Sequence, residues 1–228
     1  MWHRKSSGPV IRRFGLRARR GGAINRAMKP RHHGPPSRPG PHEPQARANR
    51  HVNVVEKTTP SLDEDALMAI VASQAVPFVL VLDCVQDPHN LGAILRTADA
   101  AGVHAVVAPK DKAVGITETV RRVSVGAADH VPFAQVTNLA RTMEKLKAAG
   151  LWLVGTTDHT ARSIYETDLK GPLALVLGAE EKGMRRLTEE NCDFLASIPM
   201  AGKVECLNVS VAAGVCLFEA VRQRRAAP

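Results

Sequence analysis

The sequence predicts an α/β fold, with a mostly parallel sheet and helices on its faces. Three observations predict it. From about residue 60 onward, apolar runs of strand length alternate with stretches whose apolar residues recur at helical spacing. Glycine and asparagine punctuate the boundaries between them. The 228 residues, 44% hydrophobic, are enough to bury a real core.

The elements follow in order. Glu64–Ala75 (EDALMAIVASQA) reads as a helix, and Phe78–Val85 (FVLVLDCV) as a buried strand. Leu91–Ala101 carries apolar residues at helical spacing and is closed by Gly102 as C-cap. Val103–Ala108 is a second strand, Glu118–Ala127 a helix and Val131–Val136 a short strand. Asn138 caps a helix over Leu139–Ala149, which Gly150 stops. Leu151–Thr156 (LWLVGT) and Leu173–Gly178 (LALVLG) are strands. A short helix begins at Thr188–Asn191, and Leu195–Met200 is the last strand. Leu207–Arg225 is a long closing helix whose basic end suits its dipole.

Charge divides the chain into two materials. Residues 1–50 hold 13 Lys and Arg against one acid, Glu43, for a net +12; residues 51–228 hold 18 against 21, for a net −3. The first fifty residues also contain 7 of the 15 prolines and 6 of the 17 glycines, which predicts a disordered basic tail. The globular domain is expected over residues 60–228. A flexible polycation binds phosphate backbones without reading sequence. An Arg-rich, acid-free start also suits organelle targeting, and an unselected extension or misassigned start fits as well.

Composition excludes several classes. No apolar run reaches membrane-spanning length, so no membrane partner is expected. Cys84, Cys192, Cys206 and Cys216 form no CxxC pair, which argues against a zinc ribbon or disulfide scaffold and for a reducing, cytoplasmic location. No GxGxxG, GxxxxGK[ST] or HExxH occurs. Aromatic residues are only 4%, too few for binding mainly by base stacking.

Ligands of open parallel sheets bind beyond the carboxyl ends of the strands. Three segments stand there. Asp83–Thr97 (DCVQDPHNLGAILRT) carries Asn90 and Arg96; Asn90 can equally cap the following helix and Arg96 be a surface cation. Gly178–Gly183 (GAEEKG) pairs two glycines, which let backbone approach a ligand closely, with Glu180, an orienting carboxylate or a solvated loop acid. Ile198–Ser210 (IPMAGKVECLNVS) reads as a binding loop or as a strand–helix turn capped by Asn208.

Taken together, DPHNLGAILRTADAAG, LALVLGAEEKGMRRL and IPMAGKVECLNVSVAAGVCLFEAVRQR resemble the three ordered motifs of the SpoU (TrmH) family of RNA ribose 2′-O-methyltransferases, of the SPOUT class. The resemblance covers about Pro60 to Arg225 and is nearest to the branch that methylates a guanosine of 23S rRNA. It implies a C-terminal trefoil knot, S-adenosylmethionine as cofactor, 23S rRNA as partner, and a homodimer that completes each site across its interface. Leu177, Gly178, Ile198, Met200 and Leu207 would line the cofactor pocket, and a branched residue at Gly178 is expected to collide with the ligand. Arg96, Asn90, Glu180 and Asn208 would be catalytic. Arg96, Arg121, Arg122 and Cys206 would contact RNA. No metal is required, because a sulfonium already carries an activated methyl group. A tRNA ribose 2′-O-methyltransferase and a non-catalytic RNA-binding or ribosome-assembly protein of the same fold are the alternatives.

The chain departs from the family pattern in three places. Cys206 stands where Ser is common, and a thiol is the weaker hydrogen-bond partner. Glu181 stands where Gly is common. The basic tail takes the place of a small RNA-binding domain.

Overall fold

The computed structural model describes residues 61–179 and 183–226. The basic tail expected over residues 1–50 lies outside the described residues.

Six parallel strands form one sheet: β1 (Phe78–Leu82), β2 (Ala105–Pro109), β3 (Phe133–Val136), β4 (Trp152–Thr156), β5 (Leu173–Leu177) and β6 (Phe194–Ala196). Their order is β3-β2-β1-β5-β4-β6. Strand β1 is central, pairing Leu82 with Leu177 of β5 and Val81 with Val107 of β2. Strands β1, β2 and β5 are buried along their whole length, which is why they read as continuous apolar runs without alternation.

Helices cover both faces. Helices α1 (Glu64–Ser73) and α5 (Leu139–Ala148) seal one side, where Leu67, Met143 and Leu146 pack on Val79, Val81 and Val176. The other side is sealed by α2 (Pro88–Ala101), α3 (Glu118–Ser124), α4 (Ala127–His130) and the closing helix α7 (Val209–Arg225). The short α6 (Arg186–Glu190) precedes β6. Gly92 allows α2 and α3 to touch, since a Cβ there would lie 2.7 Å from Val123 Cβ.

The expected elements all form, with shifted ends. Strand β1 stops at Leu82, not Val85, because the chain turns at Cys84, whose φ is 65°. Helix α2 begins three residues before the expected Leu91: Pro88 takes its first turn and the Asp87 carboxylate accepts from the His89 N–H at 2.9 Å. Asn90 is therefore inside α2 and is not its cap. The single helix expected over Glu118–Ala127 is two, broken where Val125 and Gly126 are both left-handed, at φ 53° and 91°. Strand β6 ends at Ala196, four residues short of Met200, and α7 begins at Val209 after an irregular loop. A 3-10 turn at Ile164–Glu166 carried no periodic signal.

Candidate active site

The carboxyl ends of β1, β4, β5 and β6 all open on one side of the sheet, because every strand is parallel. There the chain builds two adjoining cavities, of about 470 and 530 Å3.

The first lies over β4, β5 and the loop between β6 and α7. Leu177 and Gly178 leave β5, Ile198 and Met200 leave β6, and Leu207 arrives at α7; the structure brings all five to this cavity. Apolar side chains supply much of its wall. Asp158, Glu189, Glu205 and Cys206 line it as well. Cys206 therefore lines the same cavity as the expected cofactor residues.

The second cavity lies over β1. It is lined by Gln86, Asp87, Asn90, Lys112 and Arg185, and shares Ala179, Gly183, Met184 and Val209 with the first. Asn90 joins it to α7: the Asn208 Nδ2 donates to Asn90 Oδ1 at 3.1 Å. Asn208 caps α7, accepting from the Ser210 N–H at 2.9 Å and the Ser210 hydroxyl at 2.6 Å. One asparagine thus ends an irregular loop, starts a helix, and ties the first turns of two helices 118 residues apart.

The wall between the cavities includes Ala179, Gly183 and Met184, which line both. Ala179 and Gly183 exchange backbone bonds of 3.0 and 2.9 Å, and Gly183 takes φ 61°. A Cβ on Gly178 would stand 2.1 Å from the Gly183 carbonyl carbon and 2.2 Å from the Met184 nitrogen. The glycine is required by the protein's own backbone, so a branched side chain there meets the chain before it meets any ligand. Glu180, Glu181 and Lys182 lie outside the described residues.

Sequence reasoning missed the tie beside this wall. Asp83, fully buried at the end of β1, accepts from the Arg185 backbone N–H at 2.8 Å and from its Nε and Nη2 at 2.7 Å each. Burial pushes the Asp83 carboxyl up, but Arg185's side chain and N–H, with Thr188, outweigh it and hold the carboxyl below its ordinary value. The two residues are 102 apart, and no spacing rule links them. The only signal was an acid closing an apolar strand.

Arg96, Arg121 and Arg122 line neither cavity. Arg96 is exposed on α2, with no hydrogen-bond or ion-pair partner among the described residues. Arg121 is ion-paired to Asp129, while Arg122 is exposed on α3. The structure therefore gathers Asn90 and Asn208 but leaves the arginines outside the two cavities. Among the described residues, no cluster of three His, Cys, Asp or Glu could hold a metal ion, and no helix is long and apolar enough to cross a membrane.

Comparison with known proteins places this geometry. The sequence model of the SpoU rRNA Methylase family matches residues 77–218. A 23S rRNA (guanosine-2′-O-)-methyltransferase RlmB of Ralstonia nicotianae is 58% identical over 186 residues, covering 80% of this chain and 74% of the relative. The protein of the same name from Pseudomonas aeruginosa is 59% identical over 177 residues, covering 76% and 71%. Among solved structures, the SpoU methyltransferase AviRb from Streptomyces viridochromogenes in complex with AdoMet superposes with a TM-score of 0.67, at 31% identity over 74% of this chain and 67% of that one. The A. aeolicus TrmH/SpoU tRNA modifying enzyme gives 0.61 at 30% identity, over 71% and 82%.

Proposed function

The chain belongs to the SpoU rRNA Methylase family, and from that premise we propose that it methylates the ribose 2′-oxygen of a guanosine in 23S rRNA, using S-adenosylmethionine. The observation that carries this reading is the pair of adjoining cavities at the carboxyl edge of the sheet. One suits a cofactor and the other a nucleoside, and a methyl group needs to cross only the wall between them.

The first cavity fits the cofactor. Its volume lies in the range of small-molecule sites. Leu177, Ile198 and Leu207 would cover the faces of an adenine, and backbone groups beside Gly178 and Ile198 would read its edge. Asp158, Glu189 and Glu205 give the wall a negative character that suits a sulfonium. S-adenosylmethionine, when bound, supplies a methyl group already activated by that sulfonium.

The acceptor oxygen needs help from the protein, because a ribose hydroxyl ionises only far above neutral pH. Asn90 would position the ribose from the second cavity, with Asn208 holding Asn90 in place. Arg96 would stabilise the developing alkoxide and grip the adjacent phosphate; a guanidinium is too weakly acidic to serve as the base. Glu180 would pair with Arg96 and orient it.

An Arg96 that lines neither cavity of its own subunit supports a homodimer in which the site is completed across the interface. Val211 and Phe218, seven residues apart on α7, are each about half exposed and would supply its apolar contact. The expected trefoil knot belongs to the same reading. It is supported by the return of the chain from β6, at the sheet edge, to α7, which packs against β5 and α2 in the middle. Identity above 55% to proteins named for 23S rRNA, against 30% to a tRNA-modifying one, favours rRNA over tRNA. Mapping 2′-O-methylation in 23S rRNA from a deletion strain tests the reading. One guanosine should lose its methyl group and regain it on complementation, and an unchanged map would refute the assignment.

A further inference from the structure

We propose that Trp152, Phe194 and Arg162 form a stacking platform for an unpaired base of the RNA substrate, at the sheet edge and outside the two cavities. The inference rests on the RNA methyltransferase reading and adds a contact to it. Trp152 opens β4 and Phe194 opens β6, and these strands are hydrogen-bonded neighbours, with Val154 paired to Phe194. Their rings lie 5.5 Å apart, tilted by 39°. The Arg162 guanidinium stands 5.0 Å above the Phe194 ring.

Packing does not account for these side chains. Trp152 is 56% exposed and Phe194 37%, while Leu153, Val154 and Ala196 beside them are fully buried. By contrast, Phe78 and Phe133 are spent inside the core. The local charge favours RNA. Arg162 is exposed and its guanidinium has no ion-pair partner among the described residues. The nearby acid Asp193 is already neutralised by Lys147 at 2.7 Å and also accepts from the Leu153 N–H at 2.9 Å. An exposed aromatic pair beside a guanidinium that no carboxylate pairs with can stack a base and meet its phosphate. A protein partner would want a broader apolar face than two rings with a cation above one of them.

The location is also suitable. Strand β4 runs from Trp152 to Thr156, and Thr156 lines the cofactor cavity. Four strand residues rise about 13 Å. Trp152 and Phe194 stand at the amino ends of their strands, opposite the carboxyl edge that holds the cavities, so a nucleotide stacked on Trp152 would belong to RNA that reaches past the methylated site and around the sheet edge. A single platform of this kind agrees with the low aromatic content, which excludes stacking only as the main mode of binding.

Fluorescence gives a direct test. The chain has two tryptophans, Trp2 and Trp152. In a Trp2→Phe background the emission reports Trp152 alone. Short oligouridylate and oligoadenylate should quench it, and an abasic ribose-phosphate chain of equal length should not. Trp152→Ala should weaken RNA affinity roughly 5- to 150-fold, the range for one base–aromatic stack. Trp152→Phe should restore most of it, and S-adenosylmethionine affinity should not change. Arg162→Gln, a surface change that leaves the fold intact, should lose affinity several-fold. Equal quenching by the abasic chain, or unchanged RNA affinity in Arg162→Gln without any quenching of the parent, would overturn the platform. So would a change in oligomeric mass on Trp152→Ala with RNA affinity intact, which would assign the surface to a protein contact. Methyl transfer to 23S rRNA without base-dependent quenching would sink the platform alone. Quenching without methyl transfer would support the platform and count against the enzymatic reading.

Discussion

Arg96 and Gly178 act at opposite ends of the proposed chemistry, and each can be tested singly. Arg96 does not line the cofactor cavity, so Arg96→Ala should leave S-adenosylmethionine binding nearly intact. Its loss should lower the rate of methyl transfer by about 10²–10³, as for other single electrostatic partners of a developing oxyanion. Single-turnover rates beside calorimetric affinities check both halves; a variant retaining more than half its rate would remove Arg96 from the mechanism. Gly178 behaves differently. Its Cβ would overlap the Gly183–Met184 peptide, so Gly178→Ala should destabilise the free protein by about 1–3 kcal/mol, as overpacking does. The measurement is a denaturant midpoint without cofactor. Normal stability combined with lost affinity would restore the simpler idea of a clash with the ligand. The glycine was legible in the sequence, but its reason was not, because the overlapping peptide is met only when the chain folds back to Gly183. Asp87 was legible in principle: Asp before Pro is a helix-start signal, and Asn90 drew attention only by lying further along the same turn.

Elements were legible where burial is two-sided and illegible where a single residue decides. The runs FVLVL and LALVL are strands because both faces of the sheet are covered. The break between α3 and α4 turns on Val125, a β-branched residue in the left-handed region that no propensity rule would put there. The entry to β1 depends on another such detail. His104, just before β2, accepts the Phe78 N–H on Nδ1 at 2.9 Å, so its imidazole must be unprotonated there. Burial first, and then the charge of Arg224, hold its pKa below the ordinary 6.5. A group of this kind binds fewer protons when folded than when unfolded, so stability rises with pH through that window. The His104 contribution is complete above pH 6.5 and is lost as the pH falls below it toward the folded value. Urea midpoints should therefore drop on mild acidification. They should drop less in His104→Asn, whose Oδ1 can accept the same bond without titrating. Parallel curves for the two proteins would show that the bond does not control acid stability.

At the scale of the whole molecule the charge split sets the final expectation. Residues 1–50 carry +12 and the rest of the chain −3, so the body by itself has little net attraction for a polyanion. We propose that the body supplies specificity through local cations, among them Arg122 on α3 and Arg162 at the sheet edge, and that the first fifty residues supply affinity without sequence preference. If five cations of that segment met single-stranded phosphates, log K would fall with log salt at a slope of about −3.5 from this segment alone. Removing residues 1–50 should therefore weaken RNA binding at low salt and flatten its salt dependence. It should leave S-adenosylmethionine affinity unchanged, because every residue lining the cofactor cavity lies beyond position 155. RNA affinity of both forms at two salt concentrations is the decisive measurement. The two forms should converge as salt rises, because counterion release then gains less while contacts made by the body persist. Equal affinities and equal slopes would make the segment a passenger and assign all of the recognition to the body. Loss of binding at every salt concentration would instead mean that specificity also resides in the first fifty residues.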